Sequence, residues 1–263
     1  MHNADPGMTG PLLDVAIRAA LAAGEAIMRV YAEPFEVIQK SDQTPVTEAD
    51  LASERVIVKM LTEAFPDIPI VSEETAPDDG FKPPAARFWC VDPLDGTKEF
   101  IAKNGEFAVC IGLIEDGRPV LGVVHGPAIA TTYAAHGPGT AIRIRDGGAR
   151  QPISARIPAP GGIVAIHSRT NVNSRRLAEY FQGRAILERI SCGSALKFGV
   201  LAAGEADLYP RFGTTMEWDT AAGQAILEAA GGSVVRVEGG PLAYAKHDLK
   251  NDSFLAWGAK PAW

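Results

Sequence analysis

Residues 88–97 read Phe88-Trp89-Cys90-Val91-Asp92-Pro93-Leu94-Asp95-Gly96-Thr97, an apolar run that ends in two aspartates and a turn. Because the apolar run is continuous rather than alternating, it predicts a β-strand that is covered on both faces. Pro93 and Gly96 force the chain to turn where this strand ends, and Asp95 is predicted to cap a following helix. Carboxylates at the carboxyl end of a buried strand are typical of functional sites in layered α/β folds.

The segments before this stretch predict two helices and a second buried strand. Residues 12–31 and a segment that begins near Thr47 carry apolar residues at helical spacing. Asp50 then lies in the first turn of the second helix, where the helix dipole favours a carboxylate. Residues 68–71 form a short apolar run that leads into Ser72-Glu73-Glu74, which places Glu73 at the end of a neighbouring strand.

The segments after residue 97 predict a hairpin and then a change of pattern. The hairpin consists of residues 107–114 and 120–125 around a Glu-Asp-Gly-Arg turn, and further strands are predicted at 131–135 and 141–145. The Gly- and Pro-rich stretch 146–162 marks the boundary between two parts of the chain. We therefore predict an N-terminal α+β part, residues 1–150, and a C-terminal α/β part, residues 151–263.

The C-terminal part alternates short strands with helices. Its predicted elements are strands at 163–166 and 185–190, helices at 174–181, 194–203 and 218–230, and a loop after Asp207-Leu208-Tyr209. Asp219 falls in the first turn of the last helix, so a second helix N-terminus also carries a carboxylate.

Composition limits the classes of function. The 263 residues are 46% hydrophobic, which is typical of a globular protein. Their net charge of −7 argues against a protein that binds a nucleic acid polymer through a basic surface. Three cysteines without a CxxC pair predict reduced thiols rather than a disulfide framework or a zinc site. Residues 119–142 are free of charged side chains, but their prolines and glycines exclude a membrane helix. The amino terminus lacks a signal-peptide pattern, so we expect a cytoplasmic protein, with peripheral association at the inner membrane as an alternative.

Common catalytic motifs are missing from the sequence. It contains no GxxxxGK[ST] phosphate loop, no GxGxxG after a predicted strand and no GxSxG elbow, and its five histidines lack metal-binding spacing. The remaining candidates are the acids at the strand ends. From spacing alone, these carboxylates are either solvated loop residues or the ligands of a metal site.

The segment Asp92–Thr97 resembles the DP(I/L)DGT signature of the inositol monophosphatase superfamily of metal-dependent sugar-phosphate phosphatases. Four further segments resemble elements of that superfamily in the same order: Val46-Thr47-Glu48-Ala49-Asp50, Ser72-Glu73-Glu74, Gly193-Ser194-Ala195 and Trp218-Asp219-Thr220-Ala221-Ala222-Gly223. The resemblance implies a layered α-β-α-β-α sandwich with a metal site at the junction of the two parts. Within the superfamily, the segments 98–101, 194–198 and 208–213 are most similar to bacterial 3′(2′),5′-bisphosphate nucleotidases.

The resemblance also assigns roles to individual residues. It implies that two or three Mg²⁺ ions are bound by Glu73, Asp92, Asp95, Asp219 and the Leu94 carbonyl. Catalysis would be two-metal activation of water, with Thr97 paired to Asp50 as proton acceptor and Glu73 orienting the water. Elementary electrostatics agrees, because four carboxylates that share a pocket must either protonate or recruit a cation.

Substrate contacts follow from the same resemblance. The implied residues are Leu94, Asp95, Gly96, Thr97, Asn171, Ser194, Lys197, Arg211 and Asp219. Asn171 stands where many of these nucleotidases have a histidine. For Lys197 and Arg211 the alternative is that both are solvated surface cations.

The predicted activity is removal of the 3′-phosphate of adenosine 3′,5′-bisphosphate to give AMP, a step that clears a by-product of sulfate assimilation and is expected to be lithium-sensitive. One alternative is an inositol monophosphatase or another small sugar-phosphate phosphatase. A second alternative is a non-catalytic regulator that binds a phosphorylated metabolite. The predicted partner is a small phosphate ester, and the protein is expected to be a monomer or a homodimer.

Overall fold

The computed structural model describes residues 6–39, 45–76, 82, 85–169 and 175–259. Its helices are α1 (Pro6–Tyr31), α2 (Glu48–Ala64), α3 (Thr97–Ile101), α4 (Arg175–Phe181), α5 (Leu196–Ala202) and α6 (Glu217–Ala229). The strands of the first half are β1 (Val37–Gln39), β2 (Pro45–Thr47), β3 (Ile70–Ser72), β4 (Arg87–Asp95), β5 (Ala108–Glu115), β6 (Arg118–Gly126), β7 (Thr131–His136), β8 (Ile142–Arg145) and β9 (Gln151–Pro152). Those of the second half are β10 (Ile163–His167), β11 (Ile186–Ser191), β12 (Leu208–Arg211), β13 (Ser233–Arg236) and β14 (Phe254–Trp257).

A seven-stranded sheet runs in the order β3-β4-β5-β6-β7-β8-β9, with β3 parallel to β4 and the other neighbours antiparallel. Strands β4, β5 and β6 are buried along nearly their whole length, as their continuous apolar sequences predict. The predicted hairpin is confirmed as β5 and β6. Its turn places Asp116 and Gly117 at positive φ, the conformation that a tight hairpin turn requires.

A five-stranded sheet runs in the order β11-β10-β12-β14-β13. Strand β10 is parallel to both of its neighbours, whereas β14 is antiparallel to β12 and β13. Strand β12 includes Pro210 and Arg211, where the sequence predicted a loop after Tyr209, and for these two residues that prediction is wrong. Asp207 directly precedes this strand, and its buried carboxylate is paired with Arg156 and accepts the Val164 N–H at 2.7 Å.

Helices cover both faces of both sheets, which gives the predicted layered α-β-α-β-α order. Helices α1 and α2 pack on one face of the seven-stranded sheet, where the alanines of α1 allow close approach. Helices α5 and α6 fill the space between the two sheets. Leu177 and Phe181 of α4 pack on the outer face of the five-stranded sheet. The division of the chain at residue 150 remains a prediction.

Glycines allow α6 to lie very close to the seven-stranded sheet. A Cβ atom at Gly122 of β6 would lie 2.1 Å from the carbonyl oxygen of Ala222 in α6. A Cβ atom at Gly112 of β5 would lie 2.9 Å from the Ala221 Cβ. Because a side chain would occupy this space, the depth at which α6 sits depends on the two glycines. Asp219 is in the first turn of this helix.

The run 119–142 forms β6, β7 and the turn between them, as its prolines and glycines led us to expect. Within the part of the chain that the structure describes, the helices are too short or too polar to cross a membrane.

Candidate active site

Three carboxylates converge at one end of the seven-stranded sheet. One oxygen each of Asp92, Asp95 and Asp219 lies within 4.8 Å of the others. Asp92 and Asp95 lie within the last four residues of β4. Asp219 comes from the N-terminus of α6, more than a hundred residues later in the chain.

A bulge in β4 explains how Asp92 and Asp95 share a face. Residues three apart in a regular strand point to opposite faces. Here Asp92 lies opposite Cys110 and Asp95 opposite Ala108, so β4 uses three residue steps where β5 uses two. The extra residue reverses the alternation and turns both carboxylates into one pocket.

Backbone N–H groups orient each of the three carboxylates. Asp92 accepts the Leu94 N–H at 3.0 Å, within the bulge of β4. Asp219 accepts the Met216 N–H at 2.9 Å and so caps α6. Asp95 accepts the N–H of Ala195, which lies a hundred positions away in the loop before α5.

The predicted helix cap by Asp95 is wrong. The N-cap of α3 is Gly96, which has no side chain and adopts φ 94°. The Asp95 carboxylate instead accepts the N–H of Ala195. A Cβ atom at Gly96 would also lie 3.3 Å from the Ser194 Cβ.

Burial and mutual repulsion disfavour the ionised form of the three carboxyl groups. Burial raises the pKa of Asp92 well above its usual value, and the charges of Glu73, Asp95 and Asp219 raise that pKa further. Burial raises the pKa of Asp95 to about 6, against the opposing effects of Lys197 and the Ala195 N–H. Burial and the charge of Asp95 raise the pKa of Asp219 well above its usual value.

This donor set fits a hard divalent cation. Carboxylate and carbonyl oxygens are the ligands that Mg²⁺ prefers, and a cation would remove the repulsion that raises these pKa values. The Leu94 carbonyl belongs to the same bulge of β4 as Asp92 and Asp95. Glu73 follows β3 directly and donates its N–H to the Val91 carbonyl at 3.1 Å, which brings it to the same sheet edge. Its charge acts on Asp92 and Asp95, although it does not belong to the three-carboxylate cluster.

Thr97 and Asp50 meet beside the carboxylates. The Thr97 hydroxyl lies 3.3 Å from Oδ1 of Asp50. Asp50 is buried in the first turn of α2, as predicted, and its Oδ2 accepts hydrogen bonds from the N–H and hydroxyl of Thr47, both at 2.7 Å. Burial raises the pKa of Asp50, opposed by the hydrogen bonds from Thr47.

A polar cavity opens next to the acidic cluster. It is lined by Asp95, Gly96, Ser194, Lys197, Arg211 and Asp219, all of which the sequence singled out, together with side chains of β12 and β14. Lys197 is buried, which excludes the solvated surface role. Its ammonium donates to the carbonyls of Cys192 and Ser194.

Arg211 separates this cavity from a second groove. Its guanidinium donates to the Ser168 hydroxyl at 2.8 Å and to the Thr214 carbonyl at 3.1 Å. The groove on its other side is lined by His167, Arg176 and Phe212. Asn171, predicted to contact the nucleotide, lies outside the described residues.

Three residues at the site were not predicted from the sequence. Buried Ser53 donates to the Pro93 carbonyl at 2.6 Å and so holds the bulge between the two aspartates. Its position three residues after Asp50 on the same helix face was the available signal. Glu106 and Arg169 form an ion pair beside the cavity, and nothing in the local sequence indicates that these two residues meet.

Comparisons with known proteins identify the family of the chain. The model of the inositol monophosphatase family matches residues 9–261. The 3′(2′),5′-bisphosphate nucleotidase CysQ of Escherichia coli (strain K12) is 44% identical over 239 residues, covering 90% of this chain and 95% of that protein. The enzyme of the same name from Haemophilus influenzae is 33% identical over 254 residues, covering 94% and 93%.

Solved structures give the same result. CysQ from Bacteroides thetaiotaomicron is similar with a TM-score of 0.82 at 35% identity, covering 96% of this chain and 98% of that chain. An inositol monophosphatase from Anabaena is similar with a TM-score of 0.75 at 27% identity, covering 95% and 92%.

Proposed function

Because the chain belongs to the inositol monophosphatase family, we propose that it is a 3′(2′),5′-bisphosphate nucleotidase that removes the 3′-phosphate of adenosine 3′,5′-bisphosphate. The products are AMP and phosphate. The observation that carries the proposal is the convergence of Asp92, Asp95 and Asp219 beside a polar cavity. The cationic side chains of Lys197 and Arg211 also line this cavity. The sequence identity to relatives named CysQ supports a nucleoside bisphosphate as the substrate.

The metal-binding residues in this proposal are Asp92, Asp95, Asp219, Glu73 and the Leu94 carbonyl. Bound Mg²⁺ would supply the positive charge that activates water and offsets the charge developing on the phosphoryl group. Magnesium also explains how an acidic protein holds a phosphate ester.

Thr97 and Asp50 accept the proton that the attacking water loses. The Thr97 hydroxyl donates its hydrogen to ionised Asp50, which leaves the lone pairs of the Thr97 oxygen free to accept a proton from water. As the water oxygen bonds to phosphorus, the bond between phosphorus and the 3′-oxygen breaks, and that oxygen takes a proton from solvent. The raised pKa of Asp50 makes it a stronger base than an ordinary aspartate.

The phosphate and the nucleotide are held by separate groups. The N–H groups of Gly96 and Thr97 at the start of α3 bind phosphate oxygens, and the absence of a side chain at Gly96 lets the substrate approach. Ser194 and Arg211 line the cavity where the rest of the nucleotide would lie. Lys197 contributes positive charge there from its buried position, and Asn171 completes the proposed set.

Hydrolysis of inositol monophosphate is the second candidate, favoured by the fold shared with the Anabaena enzyme. The test compares kcat/KM for adenosine 3′,5′-bisphosphate and for inositol 1-phosphate at saturating Mg²⁺, with Arg211→Ala as the discriminating variant. We expect the nucleotide to be preferred, and Arg211→Ala to lose activity on the nucleotide far more than on the inositol phosphate. A preference for inositol phosphate would overturn the substrate assignment. Binding of both compounds without phosphate release would identify a non-catalytic regulator.

A further inference from the structure

The loop between β11 and α5, residues 192–195, belongs to the five-stranded half of the fold but contacts the acidic cluster of the seven-stranded half. The Cys192 N–H donates to the His167 carbonyl at 3.0 Å, which ties the start of the loop to β10. At its far end, the Ala195 N–H donates to the Asp95 carboxylate. The position of this loop therefore determines how the Asp95 carboxylate is oriented.

Glu106 holds the middle of the loop. Its Oε2 accepts the Gly193 N–H at 2.8 Å, and both of its carboxylate oxygens accept hydrogen bonds from the Arg169 guanidinium. Glu106 precedes β5 in the seven-stranded sheet, whereas Arg169 follows β10 in the five-stranded sheet. One carboxylate thus joins the two halves at the rim of the acidic cluster.

The loop has little freedom to move toward the sheet. A Cβ atom at Gly193 would lie 2.5 Å from the Glu106 carbonyl oxygen, so the backbones are already in contact there. Ser194 adopts φ 50°, a left-handed conformation that costs energy for a residue with a side chain. Such a conformation persists when the surrounding contacts fix it, and the Gly193–Glu106 hydrogen bond directly precedes it.

We propose that Glu106, supported by Arg169, is a positioning residue that holds residues 192–195 so that the Ala195 N–H orients the Asp95 carboxylate for metal binding. The inference rests on the proposed function in taking Asp95 as a metal ligand. The hydrogen bonds from Arg169 hold the pKa of Glu106 below its usual value, so Glu106 is ionised at neutral pH. Residues that orient a metal ligand from outside the coordination sphere alter metal affinity when removed.

The ion pair is too exposed to act mainly through global stability. The Arg169 side chain is 47% exposed and that of Glu106 is 20% exposed. Partly exposed pairs contribute little to the free energy of unfolding, so the expected effect of their loss is local.

The test uses Glu106→Ala and the conservative variant Glu106→Gln. The matched control is Glu115→Ala, which removes the partner of Arg87 in a partly exposed ion pair of 2.8 Å (35% and 33% exposed) at the opposite end of β5. Three quantities are measured: hydrogen exchange at the Ala195 amide in metal-free protein, Mn²⁺ binding by electron paramagnetic resonance without substrate, and the Mg²⁺ dependence of kcat. Circular dichroism checks that each variant is folded.

For Glu106→Ala we expect faster exchange at Ala195, weakening of Mn²⁺ binding by about tenfold, and an equal rise in the half-saturating Mg²⁺ concentration. The kcat at saturating Mg²⁺ should fall much less. Glu106→Gln should be intermediate, because its amide oxygen can still accept the Gly193 N–H but does not pair with Arg169 as an anion. Glu115→Ala should match the wild type in all three measurements.

The proposal is overturned if folded Glu106→Ala keeps wild-type exchange at Ala195 and wild-type Mn²⁺ affinity. If Glu106→Ala does not fold, Arg169→Gln is subjected to the same measurements and decides the question by the same criteria. A wild-type protein that releases no phosphate from any ester would refute the proposed function alone, since exchange at Ala195 and Mn²⁺ binding would still report on Glu106.

Discussion

The hydroxyl of Thr97 lies 3.3 Å from Oδ1 of Asp50, and the other oxygen of Asp50 is occupied by the two hydrogen bonds from Thr47. Asp50 is therefore fixed from both sides at the N-terminus of α2. The contact places α2 against the turn between β4 and α3, where the proposed metal ligands are. A buried carboxylate held in this way can take up a proton through Thr97 without moving.

Replacing Thr97 by Val tests this proton path. Valine has a similar shape but lacks the hydroxyl, so we expect kcat to fall by about 10²–10⁴-fold, the usual contribution of a positioned proton acceptor. Thr97→Ser should retain most of the activity because it keeps the hydroxyl. Steady-state kinetics at saturating Mg²⁺ measures the effect.

The control is Thr75→Val, which removes an exposed hydroxyl 3.4 Å from Glu54 and should leave kcat unchanged. If Thr97→Val turned over substrate as fast as the wild type, Thr97 would have no part in proton transfer.

The stability of the metal-free protein should decrease as pH rises. Burial raises the pKa of Asp95 from 3.8 to about 6, so in this pH range the native state binds more protons than the unfolded state. The free energy of unfolding then falls with increasing pH, because its slope follows the difference in bound protons. The favourable contribution is complete below 3.8 and is lost as pH rises through about 6. The pKa values of Asp92 and Asp219 are also raised by burial, so these two groups change the stability in the same direction.

Thermal denaturation of chelator-treated protein on both sides of pH 6 measures this slope. Saturating Mg²⁺ should reduce or reverse it, since the cation binds the ionised carboxylates and stabilises the native state. A metal-free melting temperature that rises over the same range would contradict the electrostatics described for the cluster.

Asp92→Asn should separate activity from stability. The substitution removes a proposed metal ligand, and we expect kcat to fall by at least about 10³-fold, in line with the several kcal/mol that metal ions contribute to charge stabilisation. It also removes one of the repelling charges, so the metal-free variant should melt at a higher temperature than the metal-free wild type above pH 6.

Asp67→Asn is the matched control, because Asp67 is exposed and precedes β3, whereas Glu73 follows the other end of that strand. It should change neither kcat nor the melting temperature. Native activity in folded Asp92→Asn would refute the proposed metal centre.

The sequence predicted those parts of the site that depend on local pattern. The apolar run of β4 and its terminal aspartates were sufficient to place Asp92 at the end of a buried strand. The position of Asp50 in the first turn of α2 followed from helix patterning alone. The family resemblance implied the layered sandwich, and the structure confirms it.

Contacts between distant segments could not be predicted in this way. Asp95 was expected to cap a helix because its local sequence allows it, but Ala195 provides the hydrogen bond instead. The bulge that turns Asp95 into the pocket depends on pairing with β5, which the sequence of β4 does not specify. The end of strand β12 was assigned to a loop, of which Pro210 is typical. Here Asp207 is neutralised by Arg156, and β12 pairs with β10 at Leu208, before the proline.

The last prediction concerns how closely α6 packs against the seven-stranded sheet. A Cβ atom at Gly122 would lie 2.1 Å from the Ala222 carbonyl oxygen, and backbone atoms of a packed helix cannot give way without moving the helix. We expect Gly122→Ala to destabilise the protein by about 1–3 kcal/mol, the usual cost of overpacking a core. The displacement of α6 should also move Asp219 away from Asp92 and Asp95, which would raise the Mg²⁺ concentration needed for half-maximal activity.

Gly10→Ala provides the contrast, because Gly10 lies in α1 with open space around its Cβ position. Because Gly10 precedes Pro11, whose ring disfavours a helical side chain at the preceding position, the gain in helix propensity is offset, and the change should alter stability by less than about 1 kcal/mol and leave the Mg²⁺ dependence unaltered. Chemical denaturation and Mg²⁺ titration of activity measure both effects. If Gly122→Ala were as stable as the wild type and as active at low Mg²⁺, the close approach of α6 to β6 would not determine the position of Asp219.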